Sequence, residues 1–217
     1  MSRIVWHDIG QKFYETGVDR VVLYLVDENG EYPRGVPWNG CSQVSDNPSG
    51  AEPTALYADN NKYITLMSKE EAGGSIEAYT HPDEFYLCDG SAELAEGIYI
   101  GEQPRRPFGL CYRTILGNDV SGDEYGYKIH IVYGALASTS DVDNATQSDT
   151  PEANTFSWDY TCTPVNVPGH NPSASIEIVS TKIDPAKLSA LEDILYGTAD
   201  TDARLPLPAE IAAIGAI

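Results

Sequence analysis

Carboxylates at a ligand-like spacing are the first feature with chemical potential. In Asp141-Val142-Asp143-Asn144-Ala145-Thr146-Gln147-Ser148-Asp149-Thr150-Pro151-Glu152, the acids Asp141, Asp143, Asp149 and Glu152 fall at positions one, three, nine and twelve of a helix-flanked calcium loop. The pattern fails where such a loop needs a glycine, since Thr146 stands there, and again at position five, which is Ala145. Its flanks read as strands, so the stretch is expected to be a solvated hairpin tip, with calcium as the minor alternative. His7, His81, His130 and His170 lie too far apart to share a local metal-ligand spacing. The motifs GxSxG, HExxH, the phosphate loop and GxGxxG are missing, and among 33 acidic residues nothing selects a pair for glycoside hydrolysis. These residues point to a protein that is not an enzyme and carries no cofactor.

The adjacent basic pair Arg105-Arg106, between Pro104 and Pro107, suits a docking contact for carboxylates or a solvated turn. A nucleic-acid site would need many more cations. The formal net charge is −20, and such a surface repels phosphate, which excludes tight binding to nucleic acid or to an anionic membrane. No apolar run near the N-terminus matches a signal peptide or a membrane span, and Cys41, Cys88, Cys111 and Cys162 form no CxxC pair. A cytosol-like compartment with reduced, buried thiols is the expectation.

The elements that would position any site are mainly strands. A chain of 217 residues with 14 Tyr and 19 Gly favours one β-rich domain over residues 1–217. The run Val21 to Val26 is the clearest strand and ends in Asp27-Glu28-Asn29-Gly30, a turn signal. Further strands are predicted over Lys62 to Ser68, Ser75 to Thr80, Ile98 to Gly101, Phe108 to Leu116, Tyr127 to Leu136, Thr155 to Thr163 and Ser175 to Ile183. About eight strands imply a β-sandwich or barrel. A short helix is predicted near 82–88, and a longer one begins at Asp184 and Pro185, carries Leu188, Leu191 and Leu195 on one face, and ends at Gly197. Glu31 to Ala55, crowded with Pro and Gly, reads as a long loop in which only Cys41 to Val44 could pair, as a short hairpin, and whose Val36 and Trp38 are candidates for contacting another chain or for packing onto the chain's own core. Residues 1–13 and 198–217 read as extended arms.

Three segments carry a family resemblance: Gly17-Val18-Asp19-Arg20-Val21-Val22-Leu23-Tyr24, the stretch from Gly101 through Arg105-Arg106-Pro107-Phe108 to Thr114, and Leu195-Tyr196-Gly197 through Arg204-Leu205-Pro206-Leu207-Pro208. In these the chain resembles the major tail protein, or tail tube protein, of siphovirus-like long-tailed bacteriophages and prophages. The resemblance implies homohexameric rings stacked into a tube, with DNA passing through the lumen without adhering. It also implies assembly in the bacterial host cytoplasm, a place in the virion tail, and a tape measure protein, a tail terminator and a baseplate initiator as partners. By position, stacking falls to the 31–55 loop and both arms, which makes Trp6, Val36, Trp38, Arg105, Arg106, Arg204, Leu205 and Leu207 the contact candidates. Strand alternation offers Glu77 and Asp159 for an acidic lumen wall. The alternative reading is a β-sandwich binding module for carbohydrate, or one dependent on calcium, with exposed Tyr and Trp as a stacking platform.

Overall fold

Apolar residues at successive positions, as in Val21-Val22-Leu23-Tyr24, demand a strand covered on both faces, and the computed structural model supplies both covers. It describes residues 4–139, 142, 144, 146 and 153–216. The acidic stretch weighed for calcium, with Asp141, Asp143, Asp149 and Glu152, lies outside the described residues.

The strands are β1 (Phe13–Leu25), β2 (Arg34–Pro37), β3 (Cys41–Asp46), β4 (Ser49–Gly50), β5 (Pro53–Ala58), β6 (Asn61–Met67), β7 (Glu70–Glu71), β8 (Gly73–Ala78), β9 (Ala92–Ala95), β10 (Ile98–Ile100), β11 (Phe108–Asn118), β12 (Gly122–Ala137), β13 (Phe156–Cys162) and β14 (Ser175–Val179). The helices are α1 (Tyr86–Asp89), preceded by a 3-10 turn at Asp83–Phe85, then α2 (Pro185–Tyr196) and α3 (Pro208–Ala216). An 8-stranded antiparallel sheet runs β2-β1-β11-β12-β13-β8-β3, with β14 added beside β12. Small two-stranded sheets, β4-β7, β5-β6 and β9-β10, stand outside it.

The central strands alternate between two cores. Val21, Leu23, Phe108, Leu110, Tyr112 and Val132 face the first, which the curled β13-β8-β3 end closes with Ile76, Trp158 and Tyr160. Val22, Tyr24, Cys111, Ile129, Ile131 and Tyr133 face the second, which α2 covers with Leu188, Leu191 and Leu195. Asp184 caps α2 by accepting from Ala186 N at 2.9 Å, and Tyr24 Oη donates to Leu195 O at 2.6 Å to pin its far end. At Gly134 a left-handed residue (φ 59) bulges β12, so Val132 and Ala135 face the same core; a Cβ there would meet Thr163 O at 2.5 Å. Burial drives the thiols Cys88 and Cys111 up to about 12, in keeping with inert core residues.

Two expectations need correction. The segment Glu31 to Ala55 is no long loop: besides β3, which covers the Cys41 to Val44 stretch expected to pair, it holds β2, β4 and the start of β5, with β2 paired to β1 and β3 paired to β8. Its breakers punctuate short strands. Pro37 closes β2, Gly40 and Gly50 turn the chain at φ 79 and 80, and Pro53 opens β5, all positions where a sheet tolerates them. The C-terminal stretch is likewise no extended arm beyond Pro208, because α3 begins at that proline, where the missing N–H costs nothing. Ahead of it Leu205 N donates to Tyr32 O, and Tyr133 Oη donates to Pro206 O at 2.8 Å, so the segment is sealed onto the second core.

Trp38 takes the chain's own core, not the surface of another chain, of the two places open to it. It is 3 % exposed, packs against Phe85 (centroids 4.5 Å) and Trp158 (5.6 Å), and donates its indole N–H to Thr80 O at 2.8 Å. Trp38→Ala should therefore cost about 3–5 kcal/mol in urea-unfolding stability, the range for emptying a large aromatic from a packed core, whereas a Trp38 serving only another chain would leave the monomer unmoved.

Candidate functional site

Beyond the first core, on the face opposite the second, the long strands continue as a four-stranded section, β1-β11-β12-β14, whose outer strands there each have one ladder partner among the described residues. Residues Phe13 to Thr16 of β1 pair only with β11, and β14 pairs only with β12. The ladder phase shows which backbone groups are left over. Asp119 N bonds Lys12 O, which turns the N–H and C=O of Phe13 and Glu15 away from β11. Tyr133 N bonds Ala174 O and Ser180 N bonds Tyr127 O, which turns those of Ser175, Glu177 and Val179 away from β12; Ser173 Oγ engages both groups of Ser175, and Lys182 N and Ile183 N donate to Val179 O, so Glu177 is the β14 residue with both groups left over. Glu15 lies opposite Leu116, whereas Glu177 is level with Tyr112 through His130, so the two edges are staggered along the strands.

One face of this section is a polar belt crossing all four strands. Lys128 Nζ bridges Glu15 (2.8 Å) and Glu177 (3.0 Å), and Thr114 Oγ1 donates to Glu15 Oε1 at 2.7 Å. Since that hydroxyl has spent its proton, the His130 Nε2 at 2.9 Å donates to it, which fixes the neutral tautomer. His130 is also stacked on Tyr112, with centroids 4.6 Å apart and planes 8° from parallel. Burial holds the His130 pKa below the ordinary histidine value, against the pull of Glu177, Glu15 and Asp46. Burial works against the Glu15 charge, but the hydrogen bonds from Lys128 and Thr114 outweigh it and keep its pKa low. Behind the belt, Arg113 holds Asp19 in a bidentate pair at 2.7 and 2.5 Å, which lowers the Asp19 pKa.

Two ribbons project apolar side chains into solvent. In the β5-β6 hairpin Leu56, Ile64 and Leu66 lie on one face and Tyr57, Tyr63 and Met67 on the other, and all are exposed. Asp59 and Asn60 turn it with φ 52 and 61, the two left-handed residues a tight hairpin needs. An isolated two-stranded ribbon is marginal in water, so this one lacks a cover. The second ribbon, β9-β10, exposes Leu94, Ile98, Tyr99 and Ile100 beside α1.

The residues selected from sequence scatter over several surfaces. Trp6 is 72 % exposed on the N-terminal segment, Val36 is half-buried in β2, and Leu205 at 3 % exposure belongs to the second core. Arg204 pairs bidentately with Glu210 (2.8 and 2.5 Å), and with Leu207 it lines a cleft of about 480 Å³ beside Tyr32. Arg105 donates to Ala137 O and Ser138 O, and Arg106 to Val26 O, so both are engaged within the chain. Glu77 and Asp159 do share a face: Glu77 is opposite Ser157 and Asp159 opposite Ser75 on β8 and β13, turned away from the first core. That face is separate from the polar belt. The belt itself left no sequence signal, because Glu15, Thr114, Lys128, His130 and Glu177 meet only through strand register. The hairpin did leave one, since Asp59-Asn60 sits between apolar runs.

Neither a family profile nor a curated protein matches the chain. Among solved structures, the chain is similar to one in an extended extracellular contractile injection system, the PVC sheath-tube complex, with 11 % identity, TM-score 0.37, and 81 % of this chain and 94 % of that one covered. It is also similar to one in the baseplate of the anti-feeding prophage (9 % identity, TM-score 0.37, 81 % and 97 % covered) and one in that particle's tube-terminating cap (11 %, 0.36, 82 % and 96 %). TM-scores in this range do not establish a shared fold.

The belt predicts how stability responds to acid. The His130 pKa is depressed in the fold, so its contribution is complete above about pH 6.5 and is lost as pH falls below that toward the lowered folded value. Glu15 and Asp19 are depressed too, and their contribution is lost below about pH 4. The urea midpoint should hold steady between about pH 7 and 8 and then fall in two stages. In His130→Gln the earlier stage should disappear; a curve identical to that of the unaltered protein would contradict the assignment.

Proposed function

We propose that this chain is the repeating subunit of a tube of the phage-tail type, joined into rings edge to edge through β1 and β14. The observation that carries the reading is the section with two opposed edges that pair with no further strand among the described residues, and strands of alternating direction. Because β1, β11, β12 and β14 are antiparallel in turn, the β1 of a second copy arrives antiparallel to the β14 of the first, and the pattern repeats without conflict. A heterologous contact of this kind closes into a ring when the rotation permits, and a closed sheet requires the stagger that these edges have. The unpaired backbone groups gain partners in the ring, which removes two edges open to uncontrolled pairing.

Six copies per ring, a lumen that passes DNA, and the tape measure, terminator and baseplate partners follow from the sequence resemblance to tail tube proteins. The charge of −20 per copy supports a non-adhesive conduit, because a wall that neutralised phosphates would hold the DNA. Glu15 and Glu177 join Glu77 and Asp159 as candidates for that wall. The β5-β6 hairpin, apolar on both faces, serves contact between copies in this reading.

Electron microscopy of the purified protein should show rings or tubes of uniform width. Proline is tolerated in a strand where its N–H would face outward, so Glu177→Pro should keep the monomer's circular dichroism and abolish ring formation. Glu177→Ala, which removes the same side chain and keeps the N–H, should still form rings. Rings from the proline variant would exclude this edge as the joint.

A further inference from the structure

Across its four strands the polar belt has the charge order acid, base, acid. Glu15 stands on β1, Lys128 on β12 and Glu177 on β14, and the ammonium is 2.8 Å from the first carboxylate and 3.0 Å from the second. Among the described residues no other Lys or Arg pairs with either acid. His130 Nε2 lies 3.7 Å from Glu15, but burial keeps that ring neutral near pH 7. Hydrogen bonds to both carboxylates raise the Lys128 pKa, so the bridge stays charged.

Both acids belong to strand edges. The outward backbone groups are those of Phe13 and Glu15 on β1 and of Glu177 on β14, so a backbone-paired joint sets Glu177 opposite Phe13 or Glu15 of the next copy. Residues opposite each other share a face, as do residues two apart on one strand. In either register Glu177 and Glu15 of the next copy are therefore same-face neighbours, with Cα atoms about 5.5 Å apart when opposite and about 7–8 Å when diagonal. Like charges so placed oppose pairing. Lys12 and Lys182 do not relieve them, because Lys12 alternates with Phe13 onto the other face and Lys182 lies in the turn beyond β14.

The direction of the side chains does relieve them. Lys128 sits two strands in from β1 and one in from β14, and it draws both carboxylates inward from the margins. Thr114 Oγ1 also holds Glu15, at 2.7 Å, whereas the Glu177 carboxylate has only the bond from Lys128 among the described residues.

We propose that Lys128 is the positioning residue of the ring joint, holding Glu15 and Glu177 inward so that two acid-bearing edges can pair. The inference rests on the tube reading and names the side chain on which its edge contact depends. Without Lys128, Glu177 extends over the margin and meets Glu15 of the next copy, and every joint of a closed ring carries the same repulsion.

The test is ring formation by full-length variants, read by electron microscopy and sedimentation, with circular dichroism and urea unfolding to check the monomer. Relative to the unaltered chain at the same salt, Lys128→Met should lose rings by at least roughly tenfold at about 0.01 M salt, where charges act over about 30 Å, and regain them at about 1 M, where the range is about 3 Å. Lys128→Arg, which keeps the charge, should assemble as the unaltered chain does. Adding Glu177→Gln to Lys128→Met should restore rings at low salt, whereas adding Glu28→Gln, which removes one charge in the turn past β1, should not. If Lys128→Met does not fold, the neutral belt of Glu15→Gln, Lys128→Met and Glu177→Gln in one chain should still form rings in the unaltered yield. Rings from Lys128→Met undiminished at low salt, rescue by Glu28→Gln as good as by Glu177→Gln, or no rings from the neutral belt would each overturn the inference. An unaltered protein that forms no rings at all would overturn the tube reading itself.

Discussion

Everything in this fold depends on a sheet whose central strands are apolar at consecutive positions. A strand reading Val-Val-Leu-Tyr, buried at each of the four, cannot leave either face to water. One face is covered by the sheet itself, which curls until β13, β8 and β3 bring Trp158, Tyr160 and Ile76 over it. The other is covered by α2 and the sealed C-terminal segment. Trp38 and Leu205, apolar residues in segments rich in proline, are consumed by these two covers.

On the face of the first core the same strands outrun their cover, and there the physics changes. Past the first core the side chains on that face become Glu15, Thr114, Lys128, His130 and Glu177, which satisfy one another across strands and need no lid. Polar satisfaction on the face leaves outward backbone groups at the two margins, those of Phe13, Glu15 and Glu177, without a partner strand among the described residues. An open edge is a template for another strand, and two edges of complementary direction on one subunit favour a repeating assembly over a simple pair. The exposed ribbons β5-β6 and β9-β10 carry apolar surface without a core of their own, which points the same way.

Much of the architecture was legible. The strands at 21–26, 62–68, 75–80, 108–116, 127–136, 155–163 and 175–183 each overlap an observed strand, because period-two patterning and β-branched runs report burial directly. The helix at Asp184 was legible from its cap, its proline and its leucine stripe. The 31–55 segment was misread because proline and glycine mark both loops and the joints between short strands, and which they mark depends on whether a neighbouring strand waits to pair. Pro206 and Pro208 misled in the same way, since a proline that stops one element opens α3.

The amino-acid sequence by itself determined the strand content, the helix caps, the acidic surface and the absence of a recognisable catalytic motif, all of which follow from local pattern or from simple sums of side chains. Only the tertiary structure decided that Trp38 is core, that Glu15 and Glu177 share Lys128 across strands far apart in the chain, and that β1 and β14 stand at edges with no further strand among the described residues. Those facts depend on register and on which strand lies beside which. Long-range pairing is chosen by the burial of the whole sheet, and no window of neighbouring residues contains it.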